Sequence, residues 1–349
     1  MPSLMPTLQL AATDLDRAVR AVTRHGARTN IAPAEGLHLA ATLSLNLLAA
    51  ARQCDAHGWP LDGIRDAVGA ARAVYAQSPF IRRLQEWPRG YPGDFETVEY
   101  ILEQRNRATP GTLAYYLEQY ALDSPIAQQH RNKVALQAQT LLDAVADAEE
   151  EGRAARILVL ACGSGADVAL VQRSLVRRDV QIVLLDQDHD ALAFAMARLG
   201  ALRDRVAPVG RNVLKGLGSV RDLGPYDLVL AGGLFDYLPD AVAVSLLRYV
   251  HDRLLAPGGR MFFTNIAEDD PYRLWIECLG NWNLIHRSAA DVSRLAARAG
   301  FVDAATEVGR DRTGLALIVS CQRLGEGEAA VAPIEARSGA LDDGQSASA

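Results

Sequence analysis

The chain has few cysteines. Its four cysteines lie far apart and form no C-x-x-C pair, which indicates neither a zinc site nor a disulfide framework. No apolar run is long enough to span a bilayer, and the N-terminus has no basic segment ahead of its apolar residues. No group of histidines and acids has metal-ligand spacing either. From these absences we expect a cytoplasmic protein with no signal peptide, no membrane association and no bound metal.

Positive charge is not in excess. The 349 residues carry 36 lysines and arginines against 42 acidic residues, a formal net charge of −6, which argues against a general nucleic-acid binder. An apolar fraction of 49% and a charged fraction of 22% are typical of a globular protein with a substantial core. We therefore expect a small molecule as the partner. The oligomeric state stays open, with a homodimer as one alternative.

Two patterns divide the chain. Residues up to about 150 consist of alanine-rich helical segments, and Ser124-Pro125 provides an N-cap and a first-turn proline for a long helix. From Arg156 onward, apolar strand-like runs alternate with helical stretches, which is typical of an α/β layer with a mainly parallel sheet. The predicted strands are Ile157–Ala161, Val180–Leu185, Val206–Val209, Tyr226–Ala231, Arg260–Thr264 and Leu315–Cys321. We predict a helical cap domain over 1–150, an α/β core over 151–323 and a disordered tail without a catalytic role over 324–349.

A proline- and glycine-rich stretch interrupts the helical half. Glu86–Glu96 contains two prolines and two glycines, which preclude regular structure, and Asp94 can cap the helix that begins at Phe95. The stretch is either a linker with aromatic anchors or a loop that lines a pocket. On the second interpretation, Tyr91 and Asp94 are candidate substrate-binding residues.

The strongest functional pattern is a glycine turn after the first predicted strand. Ile157–Ala161 ends abruptly in Cys162-Gly163-Ser164-Gly165, and a helical stretch follows. A buried strand, a tight turn and a helix N-terminus together form a nucleotide-type site, although an ordinary strand–helix turn has the same pattern. The next strand ends in Asp186, about twenty residues after the turn, where a carboxylate accepts both ribose hydroxyl hydrogens. The alternative is that Asp186 caps the following helix.

Two common nucleotide motifs are incomplete in this turn. A dinucleotide fingerprint has a third glycine where this chain has Val168, so the cradle for a pyrophosphate is incomplete. No Walker lysine follows Ser164-Gly165, which disfavours phosphoryl transfer. The two departures favour a nucleoside cofactor of another kind.

Five motifs, taken in order, resemble the class I S-adenosylmethionine-dependent methyltransferases. They are Ala161-Cys-Gly-Ser-Gly165, the strand-end Asp186, Gly210-Arg-Asn212-Val213, Tyr226–Asp240 and Leu255-Ala-Pro-Gly-Gly-Arg260. The resemblance implies a Rossmann-like core with S-adenosylmethionine as cofactor. It implies cofactor contacts from Ala161, Cys162, Gly163, Ser164, Gly165, Asp186, Gln187, Asn212, Val213, Ala231, Gly232 and Leu234.

The chain departs from this family at two positions of the first motif. Val159 stands where the family usually has an acid, and Ala161 stands where it usually has the first glycine. The usual anchor for the methionine end of the cofactor is therefore missing. We expect residues from the helical half to replace it, with the Trp87–Asp94 loop as the first candidate.

Three segments are similar to a bacterial subfamily of these enzymes. Arg89-Gly-Tyr-Pro-Gly-Asp94, Ala231–Tyr237 and Trp282–Arg287 resemble the 3-hydroxypalmitic acid methyl ester (extracellular factor) biosynthesis methyltransferases. This resemblance implies methyl esterification of a fatty-acid carboxylate.

Two catalytic candidates follow the fourth predicted strand, where ligands collect in sheets of this kind. Asp236 can accept a proton or orient an amine. Tyr237 can orient the nucleophile or face the sulfonium, because aromatic rings attract cations. Helix capping and packing are the alternative for both residues.

Three further candidates lie elsewhere in the chain. His286 is a third catalytic candidate, and Arg287 beside it suits an anionic substrate through a two-pronged contact, with a surface ion pair as the alternative. Arg131, on the long helix after Ser124-Pro125, can reach the pocket, with a solvated helix face as the alternative.

Three functions are consistent with the sequence. The first is methyl transfer to a small metabolite: a carboxylate acceptor is already ionised at pH 7, whereas an amine or hydroxyl acceptor usually needs a base. The second is cyclisation of the cofactor itself with release of methylthioadenosine. The third is a non-catalytic regulator that binds the cofactor.

Overall fold

The computed structural model describes residues 4–325. Within that range, eight helices precede the sheet: α1 (Leu4–His25), α2 (Pro33–Ala56), α3 (Leu61–Ala67), α4 (Gly69–Tyr75), α5 (Pro79–Glu86), α6 (Phe95–Glu103), α7 (Leu113–Asp123) and α8 (Pro125–Glu150). The tail predicted over 324–349 lies outside the described residues, apart from its first two positions.

Local capping fixes where several of these helices begin. The Asp94 carboxylate accepts hydrogen bonds from the backbone of Glu96 and of Thr97 and so begins α6. The Ser124 hydroxyl accepts from the Ala127 backbone, and the proline after it begins α8, as predicted. We did not predict α5, although Ser78, its N-cap, precedes a proline in the same Ser-Pro pattern.

The second half forms a seven-stranded sheet with helices between the strands. The strands are β1 (Ala155–Leu160), β2 (Val180–Asp186), β3 (Val206–Gly210), β4 (Tyr226–Ala231), β5 (Leu255–Ile266), β6 (Thr306–Arg310) and β7 (Ala316–Gln322). The helices are α9 (Ala166–Leu175), α10 (His189–Arg198), α11 (Val213–Arg221), α12 (Asp240–Tyr249) and α13 (Ala289–Ala299). The predicted α/β fold with a helical N-terminal region is confirmed.

The strand order places a crevice in the middle of the sheet. The order is β3-β2-β1-β4-β5-β7-β6, with β1 to β5 parallel and β7 antiparallel to both of its neighbours. Consecutive units run outward from β1 on one side and from β4 on the other, so the direction of winding reverses between these two strands. Ligands of open α/β sheets bind outside the carboxyl ends of the strands at this point.

Hydrophobic clusters cover both faces of the sheet, and a third joins the helices. Ile157 and Val159 of β1 face one cluster, while Leu158 and Leu160 face the other, as the two-residue period of a strand requires. The third cluster contains residues of α1 to α8 together with residues 266–282. The helical core thus includes residues from both sides of the predicted domain boundary near residue 150, which stays a prediction.

The helices of the described part lack the properties of membrane spans. No helix within residues 4–325 combines the length and the apolar content that a bilayer crossing requires.

Candidate functional site

The glycine turn between β1 and α9 uses the left-handed backbone region three times. Ala161, Gly163 and Gly165 have φ values of 48°, 52° and 61°. A Cβ at Gly165 would lie 3.3 Å from the Cβ of Ala195 in α10, a tight contact, so the available space also favours glycine there. A non-glycine residue in this region costs about 1–3 kcal/mol. Ala161 therefore adopts the backbone of the glycine that it replaces, at a cost in strain.

Asp186, at the end of β2, holds this turn in place. One carboxylate oxygen accepts from the Gly163 backbone at 2.8 Å, and the other accepts from the Asp188 backbone at 2.9 Å. Burial raises the pKa of the Asp186 carboxyl. Each carboxylate oxygen keeps a further lone pair, so the group can still accept hydrogen bonds from a ligand.

A buried ionic cluster connects the turn to the helical region. The Ser164 hydroxyl donates to Glu99 of α6 at 2.5 Å, and Arg198 of α10 donates to the same Glu99 oxygen at 2.8 Å. The sequence predicted Ser164 as a cofactor contact, and the structure gives its hydroxyl this internal partner. Sequence reasoning missed Glu99 and Arg198, because nothing in the spacing of the three residues indicates that they meet.

We expect Ser164→Ala to lower the free energy of unfolding by about 1–2 kcal/mol, because the buried Glu99 loses one donor and keeps Arg198. Urea unfolding measures the change. Ser245→Ala removes an exposed hydroxyl that bonds within its own helix, and we expect a change below about 0.5 kcal/mol. Equal effects in the two variants would show that the cluster does not stabilise the turn.

A cavity of about 450 Å³ opens beside the turn, at the carboxyl ends of the central strands. Twelve residues singled out from the sequence line it: Tyr91, Ala161, Cys162, Ser164, Asp186, Gln187, Asn212, Val213, Gly232, Leu234, Asp236 and Tyr237. Gly163, Gly165 and Ala231 do not line it; the first two shape the turn, and the third is buried at the end of β4.

The Trp87–Asp94 loop forms one wall of this cavity and is fastened to the sheet. Arg89 donates to both carboxylate oxygens of Asp188 at 2.7 Å, and the Tyr91 hydroxyl donates to Asp188 at 3.0 Å. The Arg89 guanidinium lowers the pKa of the Asp188 carboxyl to about 2. The Trp87 indole donates to the Asn281 carbonyl at 3.1 Å. The loop therefore combines both predicted properties. Trp87 anchors it, as expected of a linker with aromatic anchors, and Tyr91 lines the cavity, as expected of a pocket loop.

Asp94 and Arg131 do not line the cavity, contrary to our expectation. The Asp94 carboxylate caps α6 and pairs with Arg83 at 2.5 Å. Arg131 donates to the carbonyls of Ile101 and Leu122, so its guanidinium holds neighbouring helices together. These contacts assign both side chains to the framework of the helical region.

Arg287 and His286 do not line the cavity either. Arg287 is only 3% exposed, which also excludes the surface ion pair. It donates to Asp240 of α12, to Asn265 of β5 and to two backbone carbonyls, so it ties the loop after β4 to the sheet. His286 lies 3.4 Å from the buried Asp270 carboxylate. The spacing of a sequence motif could not show which way these side chains point.

Asp236 and Tyr237 face the cavity with partners on both sides. The Asp236 carboxylate accepts from the Ile266 backbone at 2.6 Å and lies 3.6 Å from the Lys133 ammonium. Burial raises the pKa of Asp236. The Tyr237 hydroxyl accepts from the Trp282 indole at 2.7 Å, and burial raises the pKa of this phenol. Tyr237 therefore keeps its proton and can donate it to a ligand.

Helix α8 supplies a polar wall that sequence reasoning missed. His130, Lys133 and Gln137 line the cavity at spacings of three and four, which place them on one helix face. His130 stacks on Trp282 with ring centroids 5.3 Å apart, and burial holds the pKa of this imidazole well below its usual value. Lys133 is one of only two lysines in the chain and is 4% exposed. The rarity of lysine in the chain, with one on this helix, was the signal available in the sequence.

Comparisons with known proteins give one family match and several similar folds. Residues 158–261 match a family model described as a methyltransferase domain. No curated protein sequence matches the chain significantly. The fold is similar to a "possible exported protein" from Bordetella parapertussis, with a TM-score of 0.57, 18% identity, and coverage of 90% of this chain and 97% of that chain. Magnesium protoporphyrin IX methyltransferase from Synechocystis PCC 6803 matches with a TM-score of 0.41, 14% identity, and coverage of 57% and 86%.

The matched range contains the parts that form the cavity floor. It runs from within β1 to within β5 and includes the glycine turn, Asp186 and the loop after β4. Residues 158–261 therefore match a methyltransferase domain, and they contain the glycine turn and the central strands described above.

Proposed function

We propose that the protein transfers a methyl group to the carboxylate of a small, largely apolar metabolite, such as a 3-hydroxy fatty acid, and releases a methyl ester. The observation that carries this proposal is the position of Lys133. Among residues 4–325 it is the one lysine or arginine that lines the cavity. The Lys133 ammonium lies 3.6 Å from the Asp236 carboxylate and has three donors, so it can also donate to an anionic ligand.

The residues present suit an S-adenosyl cofactor in the sheet half of the cavity. Asp186 can accept the ribose hydroxyls, and the apolar Val213 and Leu214 provide contact surface for an adenine ring. Asn212 caps α11 and donates to Gln187 at 3.0 Å, so the pair shapes the rim of the cavity. When bound, S-adenosylmethionine would supply an electrophilic methyl group on its sulfonium, and S-adenosylhomocysteine would be the leaving group of its in-line transfer to a nucleophile.

The acceptor half combines one cation with an apolar wall. Val134, Trp282 and Leu284 line it beside Lys133 and Tyr237. The Lys133 ammonium and the Tyr237 hydroxyl can orient a carboxylate, and the apolar wall suits an alkyl chain. An ionised carboxylate needs no base, so orientation is the main contribution that these residues have to make.

A second candidate function rests on Asp236. Its buried carboxyl with a raised pKa lies on the cavity wall and can accept a proton from a hydroxyl or amine acceptor. On this alternative Lys133 serves as the partner of Asp236, and the acceptor is an alcohol or an amine.

An acceptor panel separates the two candidates. Purified protein is incubated with S-adenosylmethionine and with 3-hydroxy fatty acids, or with alcohols and amines of the same chain length, and methylated products are measured by mass spectrometry. We expect methyl esters from the acids alone. Methyl ethers or methylamines without esters would contradict the carboxylate proposal and favour Asp236 as a base.

Lys133→Met is expected to lower kcat/KM for a carboxylate acceptor by about 10- to 100-fold, because a charge-assisted hydrogen bond contributes about 1.5–3 kcal/mol. Initial rates of ester formation measure the loss. Lys215→Met is the matched control, since the other lysine of the chain is exposed on α11, and we expect its rate to stay unchanged. Equal rates in both variants would remove Lys133 from acceptor binding.

A further inference from the structure

Among residues 4–325, the cavity that Val159 lines also contains a buried carboxylate without a counter-ion. Asp167, in the first turn of α9, lines the cavity and is 5% exposed. One of its oxygens accepts from the Val168 backbone at 2.9 Å. No arginine, lysine or side-chain hydroxyl within residues 4–325 bonds to it. A buried carboxylate without a cation is costly, so such a group in a ligand cavity points to a cationic ligand.

The charges around the cavity lead to the same conclusion. Within the described part of the chain, three carboxylates line it, those of Asp167, Asp186 and Asp236. The one lysine or arginine there is Lys133, which lies beside Asp236. The nearby arginines are already paired, Arg89 with Asp188 and Arg198 with Glu99. The cavity therefore has an excess of negative charge at Asp167 and Asp186 that a positively charged ligand group can balance.

The Trp87–Asp94 loop, which we expected to hold the methionine end of the cofactor, has no unpaired charged side chain that could do so. Arg89 of the loop is bound to Asp188, and Asp94 is bound to Arg83 and to the start of α6. Val159, where an acid is usual, presents only an apolar side chain to the cavity.

We infer that Asp167 holds the α-ammonium group of the cofactor's methionine end, in place of the acid that is missing at Val159. The inference rests on the proposed use of S-adenosylmethionine and concerns one contact of that ligand. The amide of Gln137 in α8 lines the cavity and lies against Gly232, just after β4, in space that a Cβ at Gly232 would need.

The test compares two ligands that differ in the methionine end. S-adenosylhomocysteine carries the amino-acid group, and 5′-methylthioadenosine lacks it. Isothermal titration calorimetry on the full chain gives the affinity of each ligand for the wild type, for Asp167→Asn and for Asp303→Asn, an exposed acid that serves as the control. Asparagine keeps an acceptor for the Val168 backbone and removes the charge.

We expect Asp167→Asn to weaken S-adenosylhomocysteine binding about 10-fold or more and to leave methylthioadenosine binding within about 2-fold. Equal changes for both ligands, or no change for either, would overturn the inference. A wild type that binds neither ligand would instead remove the proposed cofactor.

A measurement on the ligand keeps the inference testable if the variant is poorly folded. An analogue of S-adenosylhomocysteine without the α-amino group should bind the wild type about 10-fold more weakly than the parent ligand. Equal affinity of the two ligands for the wild type would show that no carboxylate holds the ammonium.

Discussion

Asp186→Ala is expected to weaken S-adenosylhomocysteine binding by more than about 100-fold in calorimetry, a loss of about 3 kcal/mol or more. The variant removes the charged acceptor that we assign to the ribose hydroxyls. It also removes the acceptor of the Gly163 and Asp188 backbone hydrogen bonds, so the glycine turn loses its link to β2. Both effects act on the adenosine part, so methylthioadenosine should lose affinity as strongly.

Asp204→Ala is the control for this prediction, because Asp204 is an exposed acid before β3. Its affinity for both ligands should equal that of the wild type. An unchanged affinity of Asp186→Ala for S-adenosylhomocysteine, with a normally folded variant, would show that the cofactor does not bind at this end of β2.

Asp167→Asn is expected to raise the free energy of unfolding of the ligand-free protein at pH 7.5 by about 3 kcal/mol, although it weakens cofactor binding. Burial raises the pKa of Asp167 from 3.8 to about 6, and each pKa unit corresponds to about 1.4 kcal/mol. The protonated carboxyl is therefore favoured in the folded state. The stability that this proton contributes is complete below the unfolded pKa and is lost as the pH rises through about 6. Asparagine carries no charge and avoids that loss.

The pH dependence distinguishes this effect from a general gain in packing. The gain in the free energy of unfolding from Asp167→Asn should fall to roughly half at pH 5, because Asp167 is then mostly protonated in the folded state of the wild type. Urea unfolding at both pH values measures it, with Asp303→Asn as a control that should not differ from the wild type. A variant less stable than the wild type at pH 7.5 would show that the charge mainly stabilises the start of α9.

The sequence predicted the fold where one local signal dominated. The bounds of β4 and the start of α8 were predicted correctly, because an apolar run defines the first and a Ser-Pro cap defines the second. We missed β6, whose sequence Thr-Glu-Val-Gly-Arg is mostly exposed at the sheet edge and contains no apolar run. A strand that buries little cannot be recognised from hydrophobic periodicity.

The site was less predictable, because side-chain direction decides it. The backbone-defined parts, the glycine turn and the strand-end Asp186, are local in sequence and line or shape the cavity. Arg287 and Asp94 lie in motifs that indicated substrate binding, yet both side chains bond to partners within the protein, Asp240 and Arg83. Lys133 and Glu99 belong to helices far from the motifs. Only the packing of the helical region onto the sheet brings Lys133 to the cavity and Glu99 to the glycine turn.

The fate of the methyl group tests the central claim most directly. The full-length protein is incubated with S-adenosylmethionine labelled with ¹³C in the methyl group and with a 3-hydroxy fatty acid, and both products are identified by mass spectrometry. We predict equal amounts of S-adenosylhomocysteine and of an ester that carries the label. Release of methylthioadenosine, with the label retained in it, would contradict methyl transfer and would show that the cofactor itself is consumed.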